Sequence, residues 1–151
     1  TRWLFEAVDP AFAASVRPAD LVVAGRNFGC GSAMEIAVTV LLAAGIKAVV
    51  ARSFSRTFFR NAVNNGLVPV QCDTADIGEG DQLSITIVGG VVEVTNRTSG
   101  RMVTGLPLSG TALDILEAGG LVPYLRRGGS DFHRAAAGEP PRDSRPMSTG
   151  W

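Results

Sequence analysis

Ser32 follows a glycine-bearing run, Gly25-Arg26-Asn27-Phe28-Gly29-Cys30-Gly31, and stands three residues ahead of Glu35. Ser-x-x-Glu is the spacing of a capping box, in which each side chain bonds an otherwise unpaired backbone N–H at a helix start. A helix start also favours an anion, because its first N–H groups and the positive end of its dipole point outward. Gly29 and Gly31 let a ligand reach the backbone with no Cβ in the way. The segment Gly29, Cys30, Gly31, Ala33 and Met34 is thus read as a cradle for a carboxylate-bearing substrate, held through backbone N–H groups, with the Ser32 hydroxyl beside it. If that substrate ligated a metal on another chain, a deprotonated Ser32 could take a proton from carbon. A serine hydroxyl is an intrinsically poor base, so the alkoxide would need strong local stabilisation. The plainer alternative, a helix cap and a glycine turn, stays open on pattern alone. No Lys follows the glycines as in a phosphate-binding P-loop, and Gly-x-Gly-x-x-Gly spacing is absent.

Few other residues offer chemistry. Cys30 adjoins Ser32 but has no His nearby in sequence to activate it. Cys72, at an expected strand end, reads as a small apolar residue. Two cysteines outside any Cys-x-x-Cys or Cys/His cluster give no metal site on this chain, and they suit a reducing, cytoplasmic setting. Arg52 precedes an expected helix, and Arg56 and Arg60 share one face of it, either solvated or turned to a partner or substrate. Fourteen Lys and Arg balance fourteen Asp and Glu, which argues against nucleic acid or an anionic membrane as partner. No apolar run is long enough to span a bilayer.

The elements that must position the loop follow from periodicity and punctuation. A short helix is expected over 10–17, a strand over Leu21–Ala24, and a helix from Ser32 to about Ala44, stopped by Gly45. Lys47–Ala51 is a β-branched run, hence a buried strand. A second helix is expected from Ser53 to Asn64, stopped by Asn65-Gly66, and a third strand over Leu67–Gln71. Short connections of this kind imply βαβ crossovers and a sheet that is at least partly parallel. Gln82–Val88 alternates as a strand, Gly89-Gly90 turns tightly into Val91–Thr95, and Arg101–Thr104 adds another strand. A helix over Thr111–Ala118 ends at Gly119-Gly120, with a further turn or two over 121–127. Trp3, Phe5, Phe12, Phe54, Phe58 and Phe59 are read as core or subunit contact. From Gly128 the chain, with the single His133 and the dispersed Arg134, Arg142 and Arg145, reads as a polar, mobile tail.

Gly25-Arg26-Asn27-Phe28-Gly29-Cys30-Gly31-Ser32 closely resembles the Gly-x-Asn-Phe-Gly-Cys-Gly-Ser segment of aconitase-family small subunits and swivel domains. Ala51-Arg52-Ser53-Phe54-Ser55-Arg56, Asn64-Asn65-Gly66-Leu67-Val68-Pro69-Val70, Gly80-Asp81 and Glu117-Ala118-Gly119-Gly120-Leu121-Val122-Pro123-Tyr124-Leu125 are similar to that family in the same order. The resemblance covers about residues 3–127 and is nearest to small subunits of 3-isopropylmalate and homocitrate-type isomerases. It implies an α/β fold, a swivelling β/β/α domain with a mixed sheet, βαβ units and a C-terminal β-hairpin, occupying 1–127. In the family's pattern an Asp-Thr-Asp strand and a substrate loop come before the point where this sequence starts. The resemblance further implies a large partner subunit carrying a [4Fe–4S] cluster, a small hydroxy acid as substrate, reversible dehydration as the reaction, and Ser32 as the base. Branched-chain amino acid or 2-oxoacid elongation chemistry would be its setting. Two departures bear on function. The family's Ser-Ser-Arg-Glu-His reads here Ser32-Ala33-Met34-Glu35-Ile36, so the second Ser, a substrate contact in the family, is Ala33, and the Arg that clamps a substrate carboxylate is replaced by a thioether. Three expectations follow: an altered substrate, compensation by Arg26, Arg56 or Arg60, or a non-catalytic, regulatory subunit that kept the fold.

Overall fold

The structure is a computed structural model that describes Arg17, residues 20–31 and residues 34–127. Its first half alternates strand and helix: β1 (Val22–Ala24), α1 (Met34–Ala43), β2 (Ala48–Ala51), α2 (Arg56–Asn64) and β3 (Val68–Gln71). The three strands form one parallel sheet in the order β1-β2-β3, with Val23 opposite Val50 and Val50 opposite Val70. All four residues of β2 are buried, as befits a central parallel strand covered on both faces. The second half is an antiparallel meander, β4 (Leu83–Val88), β5 (Val91–Asn96) and β6 (Met102–Thr104), followed by α3 (Gly110–Ala118) and a last helical stretch over 121–127.

The chain ends each long helix by the same local chemistry. After α1, the Gly45 N–H bonds the Leu42 carbonyl and the Ile46 N–H bonds the Leu41 carbonyl, with Gly45 at φ 84°. The pairs Gly66/Leu67 after α2 and Gly119/Gly120 after α3 repeat that pattern. This is the Schellman closure, which needs a left-handed residue and so selects glycine. Ser55 and Ser109 cap the starts of α2 and α3, accepting from the Phe58 and Ala112 N–H groups at 3.2 Å. At the meander, Gly89 and Gly90 both have positive φ, the requirement of a two-residue hairpin turn.

Two apolar layers follow from the alternation of β2. Val49 faces Val38, Leu41, Ile46, Phe58, Ala62 and Leu67, which joins the sheet to α1 and α2. Ala48 and Val50 face Val70, Ile85, Val92, Val94 and Leu108, which joins the parallel sheet to the meander. The result is helices on sheet on sheet, the expected β/β/α layering. Parallel and antiparallel strands lie in two separate three-stranded sheets, linked by the Leu106 N–H to the Gln71 carbonyl at 2.8 Å. The hairpin extends into a third strand where Arg101–Thr104 predicted one. The second helix starts three residues later than expected, at Arg56, because Ser53 and Phe54 are drawn into pairing with the loop after β1. Expectations for the helix over 10–17, for Trp3, Phe5 and Phe12, and for the 128–151 tail fall outside the described residues.

Among the described residues Asn96 is the buried polar residue of the core. Its amide nitrogen donates to Asp81 Oδ2 at 2.7 Å, and its oxygen accepts from the Thr98 and Ser99 N–H groups. The Gly78 N–H, and after it this Asn96 amide, hold the Asp81 carboxyl below its ordinary pKa. A depressed folded-state pKa gives stability that is complete above about pH 4 and is lost as pH falls through the carboxylate range. Asn96→Ala is expected to cost about 1–3 kcal/mol, since it removes a buried side chain together with the hydrogen bonds that side chain makes. Urea unfolding at neutral pH checks this, and the gap between variant and parent should narrow in acid as Asp81 protonates.

Candidate functional site

The carboxyl ends of the three parallel strands gather three loops, the place where open α/β sheets accept ligands. The first loop, Gly25–Gly31, lies against the second, Arg52–Ser55, through a ladder of bonds. The Arg52 N–H donates to the Gly25 carbonyl at 3.0 Å, the Phe28 N–H to the Ser53 carbonyl at 2.9 Å, and the Ser55 N–H to the Phe28 carbonyl at 2.9 Å. Ser53 Oγ also accepts from the Asn27 N–H at 2.7 Å. Asn27 adopts φ 57°, the left-handed region that non-glycine residues seldom occupy, and the Ser53 hydroxyl holds it there. The third loop joins through Thr74, whose hydroxyl donates to the Ala24 carbonyl at 3.0 Å, and through Asp73, which pairs with Arg52 at 2.9 Å.

Beneath the first loop lies a cluster of rings. Phe28 meets Phe54 and Phe58 edge-on, at centroid distances of 6.1 and 5.0 Å, and Phe54 stacks on Phe58 at 5.8 Å. Phe58 is fully buried. The Cys30 N–H bonds the Asn27 carbonyl at 3.2 Å, closing a tight turn over Asn27–Cys30. Gly29 and Gly31 have φ 84° and 80°. The loop is therefore pinned at its base and left-handed at three places, and it leads toward α1.

Of the residues predicted to bind substrate, the structure brings Gly29, Cys30 and Gly31 together in this exposed turn and places the backbone of Met34 in α1. Ser32, predicted as the base, and Ala33 lie outside the described residues, between Gly31 and α1. Cys30 is exposed. Cys72 is buried; burial, then the nearby charge of Asp73, pushes its thiol pKa up, which suits the packing role expected of it. The Asp73 carboxyl is lowered by the Ala75 N–H first and by Arg52 after it. Among the described residues no three His, Cys, Asp or Glu side chains converge as metal ligands, so they offer no donor set for an iron–sulfur cluster. Among the same residues no helix is long and apolar enough to cross a membrane.

Reading by sequence missed the clasp of Ser53 on Asn27. The signal was present in Ser53-Phe54-Ser55: two serines cannot both cap α2, and the one nearer the helix does so. The other was free for the loop.

This strand-end glycine loop and the parallel sheet beneath it lie in the stretch of the chain that is similar to the aconitase C-terminal domain. The family model of that name, Aconitase C-terminal domain, matches residues 5–75. A narrower relationship is visible along most of the chain. It is 42% identical over 128 residues to the isopropylmalate/citramalate isomerase small subunit of Methanocaldococcus jannaschii, covering 83% of this chain and 75% of that protein. It is 47% identical over 123 residues to the 3-isopropylmalate dehydratase small subunit of Pyrobaculum calidifontis, covering 80% and 74%. The crystal structure of a 3-isopropylmalate dehydratase from Methanocaldococcus jannaschii superposes with a TM-score of 0.79 at 38% identity, covering 85% of this chain and 75% of that one. The chain belongs to the family of 3-isopropylmalate dehydratase small subunits, within the aconitase class.

Proposed function

We propose that this chain is the small subunit of a two-subunit hydro-lyase that reversibly dehydrates a hydroxy acid of the isopropylmalate or citramalate kind, as in leucine biosynthesis. The observation that carries the reading is the pinned Gly25–Gly31 loop at the strand ends, in a chain 42–47% identical to proteins named for that activity. Ser32 is the base: it takes the proton from the carbon adjoining the one that bears the hydroxyl, and returns it in the reverse direction. The Gly31 N–H holds a substrate carboxylate, with no Cβ at Gly31 to block the approach, whereas the missing Cβ of Gly29 makes room for Phe58 rather than for a ligand. A [4Fe–4S] cluster on the large partner subunit would polarise the substrate hydroxyl and carboxylate as a Lewis acid.

The test is anaerobic co-expression with the large subunit of the same organism, followed by iron analysis of the purified complex. Turnover of 3-isopropylmalate and citramalate is then read from absorbance of the unsaturated acids. A brown, iron-bearing complex active on one of them is expected. Met34, where the family's pattern has Arg, favours a second reading, a regulatory subunit. A complex that assembles with iron yet turns over no hydroxy acid would establish that one instead.

A further inference from the structure

From Leu21 to Met34 the sequence contains no Asp or Glu, and Arg26 is the single charged residue. Its backbone is fixed on both sides. The Gly25 carbonyl is bonded by the Arg52 N–H, and the Asn27 N–H by Ser53 Oγ. Its side chain is exposed and has no ion pair among the described residues. The turn closed between Asn27 and Cys30 reverses the chain, and the ends of such a turn lie within about 7 Å of each other. Arg26 directly precedes this turn, so its long side chain starts beside the Asn27–Cys30 reversal and is free to reach along it.

The other cations of this edge are disposed of by geometry. Arg52 is engaged with Asp73 at 2.9 Å. Arg56 and Arg60 stand two residues before and after Phe58, the residue of α2 that packs beneath Gly29. At about 100° per residue both project from the side of α2 turned away from the loop.

We infer that Arg26 is the specificity-determining cation of the site: its guanidinium binds a substrate carboxylate at the Gly29–Gly31 turn and does the work that Met34 cannot. This inference rests on the hydro-lyase reading above. A planar guanidinium suits a carboxylate because it can give two parallel N–H bonds, and Arg26 forms no ion pair among the described residues that would compete for them.

The test uses the purified two-subunit enzyme with 3-isopropylmalate, citramalate and a monocarboxylic hydroxy acid as probes. Arg26→Ala is expected to lower kcat/KM for the dicarboxylates by about 10- to 100-fold, chiefly through KM, and to leave the monocarboxylic acid unaffected. Arg26→Ala combined with Met34→Arg should regain most of the loss, since the second substitution restores a guanidinium at the helix start. Arg60→Ala, on the far side of α2, should match the parent. Arg26→Ala kinetics equal to the parent, with Ser32→Ala inactive, would overturn the role of Arg26 alone. A failure of Arg26→Ala to assemble with the large subunit would likewise overturn it, by assigning the residue to the subunit contact. No turnover of any hydroxy acid by the parent enzyme would remove the hydro-lyase reading and the inference together.

Discussion

Ser32→Ala in the assembled enzyme is expected to lower kcat by about 10²- to 10⁴-fold, the usual contribution of a positioned acid–base group. KM and complex yield should stay close to those of the parent. Two roles compete for this hydroxyl, and they differ in kind as well as size. A helix cap contributes about 1 kcal/mol of stability and nothing specific to the transition state. A base contributes only where the proton moves. Anaerobic steady-state kinetics beside a thermal melt therefore separates them: a lower melting temperature with unchanged kcat would reduce Ser32 to a cap. The architecture favours the larger effect. Gly25–Phe28 is tied to the strand-end loop of β2 by four backbone-directed bonds, although a cap needs no such platform. The loop that leads into Ser32 is built to be held still, and a rigid backbone is what a proton-transfer geometry requires.

Much of this framework was readable before any coordinates. Gly45, Gly66 and Gly119 stop helices in the sequence because a Schellman closure demands a left-handed residue, and each one does so in the structure. The β-branched run at β2 announced a buried strand, and the alternation of 82–88 with Gly89-Gly90 announced a hairpin. What periodicity could not supply was the tertiary pairing of loops. Phe28 and Phe54 form a single parallel bridge between segments that look like turn and helix start. That bridge shortens α2 at its beginning, frees Ser53 for Asn27, and sets the ring cluster under Gly29. Sequence pattern also could not separate the two sheets, because the contact of Gln71 with Leu106 joins residues far apart in the chain. Met34 was legible as a departure. Choosing among Arg26, Arg56 and Arg60 required the orientation of α2 against the loop.

Gly29→Ala is expected to destabilise the protein by about 2–5 kcal/mol. Two independent causes combine. At φ 84° an L-residue bears a penalty of about 1–2 kcal/mol. The added Cβ would also fall on the Phe58 Cβ, with the Phe58 Cγ at 2.5 Å and Cδ2 at 2.7 Å. Those atoms belong to the root of a fully buried ring wedged against Phe28 and Phe54, so no flexible side-chain end can yield, and overpacking of that kind costs about 1–3 kcal/mol. Gly31→Ala supplies the control. It has φ 80°, but a Cβ there meets no atom within 4 Å among the described residues, so only the first cause applies. Urea denaturation of the two variants should therefore differ by the clash alone. A double-mutant cycle sharpens the point: Phe58→Ala by itself should cost about 3–5 kcal/mol, yet it vacates the volume the new methyl needs. Gly29→Ala and Phe58→Ala together should then destabilise by less than the sum of the two. Strict additivity would mean that the ring does not hold the loop, and that the close approach of Gly29 to α2 serves the backbone turn only.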